Sequence, residues 1–364
     1  MRSAFLNRLL SLPAFGLDIS EFSLKVAALG RKGKYLHLET FGALPLLPAM
    51  IQNGEIKKPQ ELARIWESGK VFRGKPLKLS RVVVSVPEEV SFVRIVQLPV
   101  MNPDELQKAI QWEAEANIPL TIDQVYLDYE MLAAPGRGPA HTDVLLVATP
   151  KPVVDSVVEF LKLIKLTPIA IEVESQAIAR ALVPGGTSEE PLMLVDLGEH
   201  GTTIMVFAAS SLQFTSSIPI SGRMLTEAVA KALGLDFSQA EREKIQIGLD
   251  ERRNPQIAAA LRPPLSVLID EIKTRLDFYA SHTFHAHTFG RTRAVGKVVL
   301  SGGGANLKGI SALLSSGLGL PVELGNPWVN ILEPPLKEIP ALPYEESLSY
   351  TTALGLALRG LSGE

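Results

Sequence analysis

The stretch LMLVDLGEHGTTIMVFAASSLQFTSSIPISG, residues 192–222, sets the pattern for the rest of the chain. Its first apolar run, 192–195, ends at Asp196. A turn rich in Gly and Thr follows, and a second apolar run covers 204–207. Short apolar runs bounded by turn residues predict buried strands, so the stretch predicts a hairpin with a carboxylate at one strand end. Backbone amides and hydroxyls at such a tip suit a phosphate, and Asp196 suits a hydrated Mg²⁺. Because Gly-rich turns are common, the stretch alone favours a simpler interpretation, an ordinary hairpin with a polar tip.

The same layout occurs near the start of the chain, in residues 14–29, AFGLDISEFSLKVAAL. An apolar approach reaches Asp18, a short turn follows over 19–23, and an alternating strand covers 24–29. Two strand–Asp–turn–strand units, one in each half, predict two related lobes. Each lobe is then expected to place one carboxylate in the cleft between them, where ligand sites are common.

Composition narrows the class of protein. The 364 residues favour two lobes over a single core. A net charge of −3 gives no reason to expect nucleic acid as a partner. The absence of Cys excludes disulfides, Cys-ligated zinc and a thiol nucleophile, and agrees with a reducing compartment. No apolar run is long enough to span a bilayer, and the basic, apolar residues 1–15 predict a terminal helix.

Residues 87–142 predict an insert of strand, helix and strand between two core strands of the first lobe, 81–86 and 143–149. Asn102 is expected to cap a helix that starts at Pro103 and ends near Asn117. The acidic face of this helix favours solvent or a partner surface.

A third signal lies at 296–314, GKVVLSGGGANLKGISALL, where a strand runs into three glycines ahead of a helix. Consecutive glycines let the backbone approach something flat or anionic. Before it, an amphipathic helix is predicted over 265–282, with Glu271 and Arg275 one turn apart. Their spacing favours an ion pair over a ligand contact. Three histidines, 282, 285 and 287, do not share a helical face and predict a solvated helix end instead of a metal site.

The two Asp hairpins, the Gly-rich loop and two helices rich in small residues, 175–182 and 350–359, occur in an order that resembles the ATPase superfamily of actin, Hsp70 and hexokinase. Five segments make the resemblance more specific: GLDISEFSLK (16–25), LPVMNPDELQKAIQWEAEANIPLTIDQVYLDYEML (98–132), VESQAIARAL (173–182), FTSSIPISG (214–222) and YTTALGLALR (350–359). In these segments the chain resembles the PilM family, actin-like cytoplasmic proteins of type IV pilus and related secretion machines. The second of these segments corresponds to an inserted subdomain shared with the division protein FtsA.

The resemblance implies an α/β, actin-like (ribonuclease H-like) two-lobed fold with an FtsA-type inserted subdomain. The first lobe core is expected at 14–86 and 143–183, with 345–360 returning to it, and the insert at 87–142. The second lobe core is expected at 190–221 and 296–344, and its helical subdomain at 222–295.

The resemblance also implies ATP and Mg²⁺ as cofactors, with the metal held through water by Asp18 and Asp196. The residues implied to bind the nucleotide are Asp18, Ser20, Ser23 and Lys25 in the first phosphate loop, Asp196, Gly198, Thr202 and Thr203 in the second, Gly222 near the phosphates, Glu271 and Arg275 beside the nucleoside, and Gly302, Gly303, Gly304 and Asn306 against the adenosine. For Glu271 and Arg275 this implication reverses the preference for an ion pair that their spacing gives. Glu174 and Gln176 are the candidates for positioning a water.

The first loop departs from the family pattern, because Ser20 stands where the family has Gly and Glu21 adds a negative charge. The departure predicts a weakened first phosphate loop and weak or no ATPase activity. The implied partners are the N-terminal cytoplasmic peptide of a PilN-like inner-membrane protein and other components of the pilus platform. The expected location is the cytoplasm, at the inner face of the cytoplasmic membrane, with membrane contact through partners. A membrane-associated filament protein like FtsA and a small-molecule kinase of the same superfamily are the alternatives.

Overall fold

The structure, a computed structural model, describes residues 13–69, 72–74, 77–132, 141–282, 294–332 and 339–362. These residues divide into two compact units. The first lies within Met1–Gly186, Pro327–Pro343 and Tyr350–Glu364, and the second is Thr187–Asn326 with Tyr344–Ser349. The helix expected at residues 1–15 falls mainly on 1–12, which lie outside the described residues. Two of the three histidines, 285 and 287, also lie outside them.

The first unit contains eleven strands and four helices up to residue 182 among its described residues. In chain order they are β1 (Phe15–Ile19), β2 (Ser23–Lys32), β3 (Tyr35–Pro45), β4 (Ile51–Gln52), β5 (Glu55–Ile56), helix Pro59–Glu67, β6 (Arg73–Gly74), β7 (Arg81–Val86), β8 (Phe92–Pro99), helix Pro103–Asn117, β9 (Val125–Met131), β10 (His141–Pro150), helix Lys151–Leu163, β11 (Thr167–Val173) and helix Glu174–Leu182.

Three parallel strands of the larger sheet end at the same edge. The strand order is β11–β7–β1–β2–β3–β6, in which β11, β7 and β1 are parallel and β1, β2 and β3 are antiparallel. Val82 and Val84 of β7 pack in a core with helices Pro59–Glu67 and Lys151–Leu163. Val83 packs on the opposite face with Ala177. This double coverage explains the continuous apolar run of β7, because a strand buried on both faces needs no polar alternation.

The insert is a three-stranded antiparallel sheet, β8–β10–β9, with helix Pro103–Asn117 against it. The helix begins with the predicted cap: the Asn102 side chain accepts a hydrogen bond from the Glu105 amide at 2.9 Å, and the Glu105 carboxylate accepts one from the Asn102 amide. Its buried side chains, among them Ile110, pack with Val144 and Leu146 of β10. The amphipathic pattern of the helix therefore has a partner inside the insert.

The prediction that residues 143–149 form a core strand of the first lobe is wrong. They belong to β10, the central strand of the insert sheet, and the neighbour of β7 on that side of the larger sheet is β11. The strand is apolar because both of its faces are covered. Val144 and Leu146 pack against the insert helix, and Val147 packs near Val86. Two-sided burial produces the same pattern in a small sheet as in a large one.

The second unit repeats a strand hairpin followed by a parallel strand. Its elements are β12 (Ser188–Leu197), β13 (Thr202–Ala209), β14 (Ser211–Ile218), helices Gly222–Leu233, Phe237–Ile247 and Pro255–His282, β15 (Lys297–Ser301), helix Ile310–Leu318, β16 (Val322–Leu324) and helix Tyr344–Ser347. The sheet order is β14–β13–β12–β15–β16, with β12, β15 and β16 parallel. The finer division that sets 222–295 apart as a helical subdomain stays a prediction, as does the FtsA-like character of the insert.

The long helix of the second unit begins ten residues earlier than predicted, at Pro255 instead of Leu265, and continues through Pro263 and Pro264. Proline removes an amide donor and usually ends a helix. Here an apolar stripe including Ile257, Leu261 and residues further along is buried in the core of the unit. Tertiary packing therefore outweighs the local signal.

The residues near 330 belong to the first unit, whereas the expectation placed all of 296–344 in the second lobe. Trp328, Ile331 and Leu342 pack in a core of the first unit with Phe41 and Tyr350. Because these large apolar side chains are buried in that core, Trp328, Ile331 and Leu342 belong to the first unit. In the parts of the chain that the structure describes, no helix combines the length and apolarity needed to cross a bilayer.

The C-terminal helix Thr351–Ser362 packs against helix Glu174–Leu182 with almost no space between the backbones. A Cβ atom on Gly355 would lie 1.9 Å from the Ala177 carbonyl oxygen, so only glycine fits there. Beside this crossing, the buried Glu172 carboxylate accepts hydrogen bonds from Arg180, at 2.6 and 3.0 Å, and from Arg359. Glycine permits the contact, and the paired charges hold the two helices and β11 together.

We expect Gly355→Ala to lower the free energy of unfolding by about 3 kcal/mol, because the added methyl group must push two backbones apart. Urea unfolding followed by circular dichroism measures the loss. Gly303→Ala is the matched control, since the nearest atom to a Cβ there is the Ser349 Cβ at 3.9 Å. Equal stability of the two variants would contradict the close crossing.

Candidate functional site

Asp18 is the last but one residue of β1 and is buried at the edge where three parallel strands end. Ser85 of the neighbouring strand β7 donates a hydrogen bond from Oγ to Asp18 Oδ1 at 2.9 Å, and the same Oγ accepts one from the Ile19 amide at 3.3 Å. Lys25 lies opposite Asp18 in the register of β1 and β2. Burial raises the pKa of Asp18, while the Lys25 charge and the Ser85 hydrogen bond act to lower that pKa.

The first turn, 20–23, is closed by its own side chains. Ser20 Oγ lies 3.0 Å from the Ser23 carbonyl oxygen and 3.1 Å from Ser23 Oγ, and accepts a hydrogen bond from the Ser23 amide at 3.2 Å. The Ser20 hydroxyl, which stands at the departure from the family pattern, therefore takes part in bonds within the turn. The Glu21 carboxylate accepts a hydrogen bond from the Asn53 amide, in the turn between β4 and β5, at 2.6 Å.

The second unit has the same arrangement around Asp196. Asp196 is the last but one residue of β12, and Ser301 at the end of the parallel strand β15 donates a hydrogen bond to Asp196 Oδ1 at 2.6 Å. Thr203 lies opposite Asp196 in the register of β12 and β13. Each unit therefore holds one carboxylate at a strand end, and a serine from the adjacent parallel strand fixes the orientation of that carboxylate.

The turn that follows Asp196 is braced by the helix Gly222–Leu233. The Gly222 amide donates to the Gly198 carbonyl at 2.9 Å and the Arg223 amide to the Glu199 carbonyl at 3.2 Å, while Ser221 Oγ caps the Met224 amide. Thr202 Oγ1 donates to the Ile220 carbonyl at 2.6 Å. The first amides of this helix hold the turn in shape, so Gly222 acts here as a brace.

The three glycines after β15 have different surroundings. A Cβ on Gly302, whose φ is +81°, would lie 2.5 Å from the Leu197 carbonyl oxygen, and one on Gly304 would lie 2.8 Å from Leu197 Cβ. Gly303 is exposed and has room for a side chain. Packing therefore explains Gly302 and Gly304, whereas Gly303 is left open toward solvent. The Asn306 side chain donates to the Glu345 carbonyl at 2.7 Å.

A small recess, with a volume of about 10 Å³, lies within the second unit. Its lining includes Thr202, Gly222 and Gly304, three of the predicted residues, with apolar side chains such as Leu225 and Leu268. The structure thus brings the second turn, the brace helix and the Gly-rich loop together around one small cavity.

Lys244 and Glu241 belong to the same neighbourhood and were missed from the sequence. Lys244 is only 7% exposed, and its ammonium group donates to the Gly222 carbonyl at 3.0 Å and to Thr226 Oγ1 at 2.8 Å. It also pairs with Glu241 at 2.7 Å. A lysine is rarely buried unless its charge is paired. The Glu-x-x-Lys spacing on helix Phe237–Ile247 was the available signal, but that spacing is also usual on an exposed helix face.

The remaining predicted residues lie elsewhere. Glu271 and Arg275 form an ion pair on helix Pro255–His282, and Arg275 Nε also donates to Ser216 Oγ at 3.4 Å. The ion pair that the spacing favoured is therefore present, and contact with a nucleoside stays a prediction. Glu174 and Gln176 are half-buried in the first turn of helix Glu174–Leu182, which follows β11 directly. Their position is at the strand edge that carries Asp18. No group of three or more metal-binding side chains occurs among the described residues.

Comparison with known proteins shows which family of proteins this chain matches. The family model described as type IV pilus assembly protein PilM matches residues 16–361. A solved structure titled PilM-PilN type IV pilus biogenesis complex is similar with a TM-score of 0.81 and 26% identity, over 96% of this chain and 99% of that chain.

Two more distant structures are similar in fold. Ethanolamine utilization protein EutJ from Carboxydothermus hydrogenoformans has a TM-score of 0.54 and 15% identity, over 96% of this chain and 93% of that one. MreB5 of Spiroplasma citri bound to ADP has a TM-score of 0.54 and 12% identity, over 93% and 94%. At these identities the likeness shows the fold alone.

The raised pKa of Asp18 leads to a pH-dependent prediction. Because burial raises the pKa of Asp18, ionising this carboxyl costs stability at pH values above that raised pKa; the cost shrinks as the pH falls and disappears below the ordinary pKa of an aspartate. Asp18→Asn keeps an oxygen for Ser85 and removes the charge. We expect the variant to melt at a higher temperature than the natural protein at pH 8, with the difference shrinking toward acid pH.

Ser85→Ala is the matched control, because it keeps the carboxylate and removes a hydrogen bond that lowers its pKa. This variant should be less stable than the natural protein at pH 8, by about 1–3 kcal/mol. Thermal melts over a pH series compare the three proteins. The assignment would be overturned if Asp18→Asn gained less stability over the natural protein at pH 8 than it does at acid pH.

Proposed function

Since the chain belongs to the PilM family of type IV pilus assembly proteins and has an actin-like fold, we propose that it is a nucleotide-binding scaffold of a pilus or related secretion platform. The observation that carries the nucleotide part is the repeated Asp–Ser hydrogen bond at the ends of β1 and β12. Two oriented carboxylates, each beside a glycine- or hydroxyl-bearing turn, suit a hydrated Mg²⁺ and the phosphates that accompany it. MreB5, the distant structural neighbour, is described as bound to ADP.

The donor chemistry of both units supports Mg-ATP. Asp18 and Asp196 are the proposed holders of the metal through water, with Lys25 near the first carboxylate and Thr203 near the second. Bound Mg²⁺ supplies positive charge against the phosphates. In the second unit, the half-buried turn at Gly198 is held in a fixed shape by the Gly222 amide, and Lys244, paired with Glu241, fixes Gly222 in turn.

The Gly-rich loop supports an adenosine contact through Gly303, where the backbone is exposed and free of side chains. In the first turn the Ser20 hydroxyl already takes part in three contacts within the turn. Weak or no ATPase activity is therefore part of the proposal, and Glu174 and Gln176 remain the candidates for holding a water.

The insert supports a protein partner. Residues 87–132 contain nine Asp or Glu and two Lys or Arg, a net charge of −7, in a chain whose total is −3. Trp112 on the insert helix is 71% exposed, and Met131 and Tyr129 on the edge strand β9 are also exposed. Large apolar side chains in an acidic surround suit a partner segment with basic and apolar residues. The structure titled as a PilM-PilN complex makes a PilN-like protein the proposed source.

The proposed partner segment is the N-terminal cytoplasmic peptide of a PilN-like inner-membrane protein, docked at the first lobe and its insert. Other platform components are further proposed partners. This partner is the proposed means of holding the chain at the inner face of the cytoplasmic membrane.

We expect Asp196→Ala to lower the affinity for Mg-ATP at least 100-fold without unfolding the protein, because it removes the oriented carboxylate of the second turn. Isothermal titration calorimetry measures the affinity, and circular dichroism checks the fold. Asp277→Ala, an exposed aspartate of the same unit, is the control and should bind as the natural chain does. Unchanged affinity in Asp196→Ala would remove this residue from the site.

Tryptophan fluorescence provides a test of the partner. Trp66 and Trp328 are 8% and 5% exposed, so acrylamide quenching reports mainly on Trp112. We expect a synthetic N-terminal peptide of the PilN-like protein encoded beside this chain to reduce the quenching and shift the emission to shorter wavelength. Trp112→Phe should abolish the signal. Failure of the peptide to bind in a pull-down, with and without ATP, would count against the partner.

A further inference from the structure

Glu21, the acidic residue of the first turn, forms the first link of a contact path that leads to the insert. Its Oε1 accepts a hydrogen bond from the Asn53 amide at 2.6 Å. We infer that this contact couples the first phosphate loop to the insert, so that nucleotide and partner affect each other's affinity. The inference rests on the proposed function, to which it adds a regulatory path through named residues.

The second link is the tip of the small hairpin β4–β5. Asn53 and Gly54 form this tip with positive φ angles of 49° and 74°, as in the tight Asn-Gly turns that join two strands. The hairpin is anchored at its far end, where the Ile56 amide donates to Ser156 Oγ at 3.0 Å. A short hairpin with a fixed base and a tight tip transmits a displacement of the tip instead of absorbing it.

The third link is the contact of this tip with the start of the insert. A Cβ on Gly54 would lie 3.0 Å from Val90 Cγ2 and 3.2 Å from Pro87 Cγ, so the tip packs closely on the segment that joins β7 to β8. The same strand β7 carries Ser85, which holds Asp18. The segment before β8 is therefore linked to the region of the first turn in two ways: through the hairpin tip to Glu21, and through strand β7 and Ser85 to Asp18, which lies just before the turn.

The segment that leads into strand β8 and the end of strand β10, where the insert joins the rest of the first unit, are linked by hydrogen bonds. Ser91 Oγ donates to the Pro87 carbonyl at 2.9 Å and lies 3.0 Å from Thr149 Oγ1, at the end of β10. A shift of Pro87–Val90 therefore moves the start of β8 and the end of β10 together. The insert then tilts as one body and does not deform strand by strand.

The charge of a bound phosphate sets the direction in which Glu21 and the hairpin tip move. An anion bound at the turn repels the Glu21 carboxylate, and the hydrogen bond to Asn53 directs that carboxylate toward the hairpin. The tip of the hairpin is then pressed against Val90. A partner that holds the insert in one tilt must, by reciprocity, change the affinity of the turn for phosphate.

The experiment is a thermodynamic cycle on the full chain. Calorimetry gives the affinity for the PilN-like peptide with and without Mg-ATP, and the ratio of the two is the coupling. We expect a ratio that differs from one by about 5-fold or more in the natural protein. Glu21→Ala should bring it to about one, and so should Glu21→Gln, which keeps an acceptor oxygen for the Asn53 amide but removes the charge that the phosphate repels.

Glu55→Ala is the matched control. It removes a carboxylate from the same hairpin, where Glu55 pairs with Lys57 at 2.5 Å, and should leave the ratio unchanged. A ratio near one in the natural protein, or one that Glu21→Ala does not alter, overturns the inference and leaves the proposed function standing. Absence of either binding event in the natural protein instead refutes the proposed function.

A second measurement needs no ligand. Hydrogen exchange on the nucleotide-free chain should show faster exchange of the Asn53 amide in Glu21→Ala, together with residues 87–91 of the insert base. Gly54→Ala, which places a methyl group of the hairpin tip against Val90, should disturb 87–91 as well. If protection of these residues is the same in Glu21→Ala as in the natural protein, the contact path does not exist.

Discussion

The close crossing of the helices Glu174–Leu182 and Thr351–Ser362 is the constraint on which the first unit depends. The crossing is possible only because Gly355 leaves no side chain against the Ala177 carbonyl, and similar approaches occur where Gly16 meets Ala353. At this spacing the C-terminal helix can lie flat on β1 and seal one face of the larger sheet. The Glu172 pair with Arg180 and Arg359 fixes the angle of the crossing. The positions of β1, β7 and β11, and of the carboxylate between them, follow from that seal.

The two units solve one problem in the same way. A carboxylate at the end of a buried strand must be kept from turning, and in each unit a serine on the adjacent parallel strand does this with a single hydrogen bond. The environments differ, however. Asp18 is buried and its pKa is raised, whereas Asp196 lies half-buried beside a turn that is braced by helix amides. The second turn is therefore held by the amides of a helix, while the first is held by Ser20 and Ser23 within the turn and by the contact of Glu21 with Asn53.

Local patterns in the sequence were sufficient for the strands beside the two Asp turns, the turns themselves, the capped insert helix and the family. Contacts between distant residues were not accessible from such patterns. The sheet to which β10 belongs depends on pairing with β8 and β9, and the long helix continues through Pro263 because of packing in its core. Lys244 was missed because two of its partners, Gly222 and Thr226, lie 22 and 18 positions earlier, and because its local spacing from Glu241 is also usual on an exposed helix face. The ion pair of Glu271 with Arg275 was predicted correctly from spacing, since it is local to one helix turn.

The unequal surroundings of the three consecutive glycines have an evolutionary consequence. Gly302 and Gly304 are needed by the backbone of Leu197, but no packing constraint acts on Gly303. A descendant under no selection for the small molecule is free to fill position 303 and still fold. Its insert, held by a different part of the chain, remains available to other proteins. The proposed adenosine contact at Gly303 and the proposed partner surface on the insert are therefore separable by a single substitution.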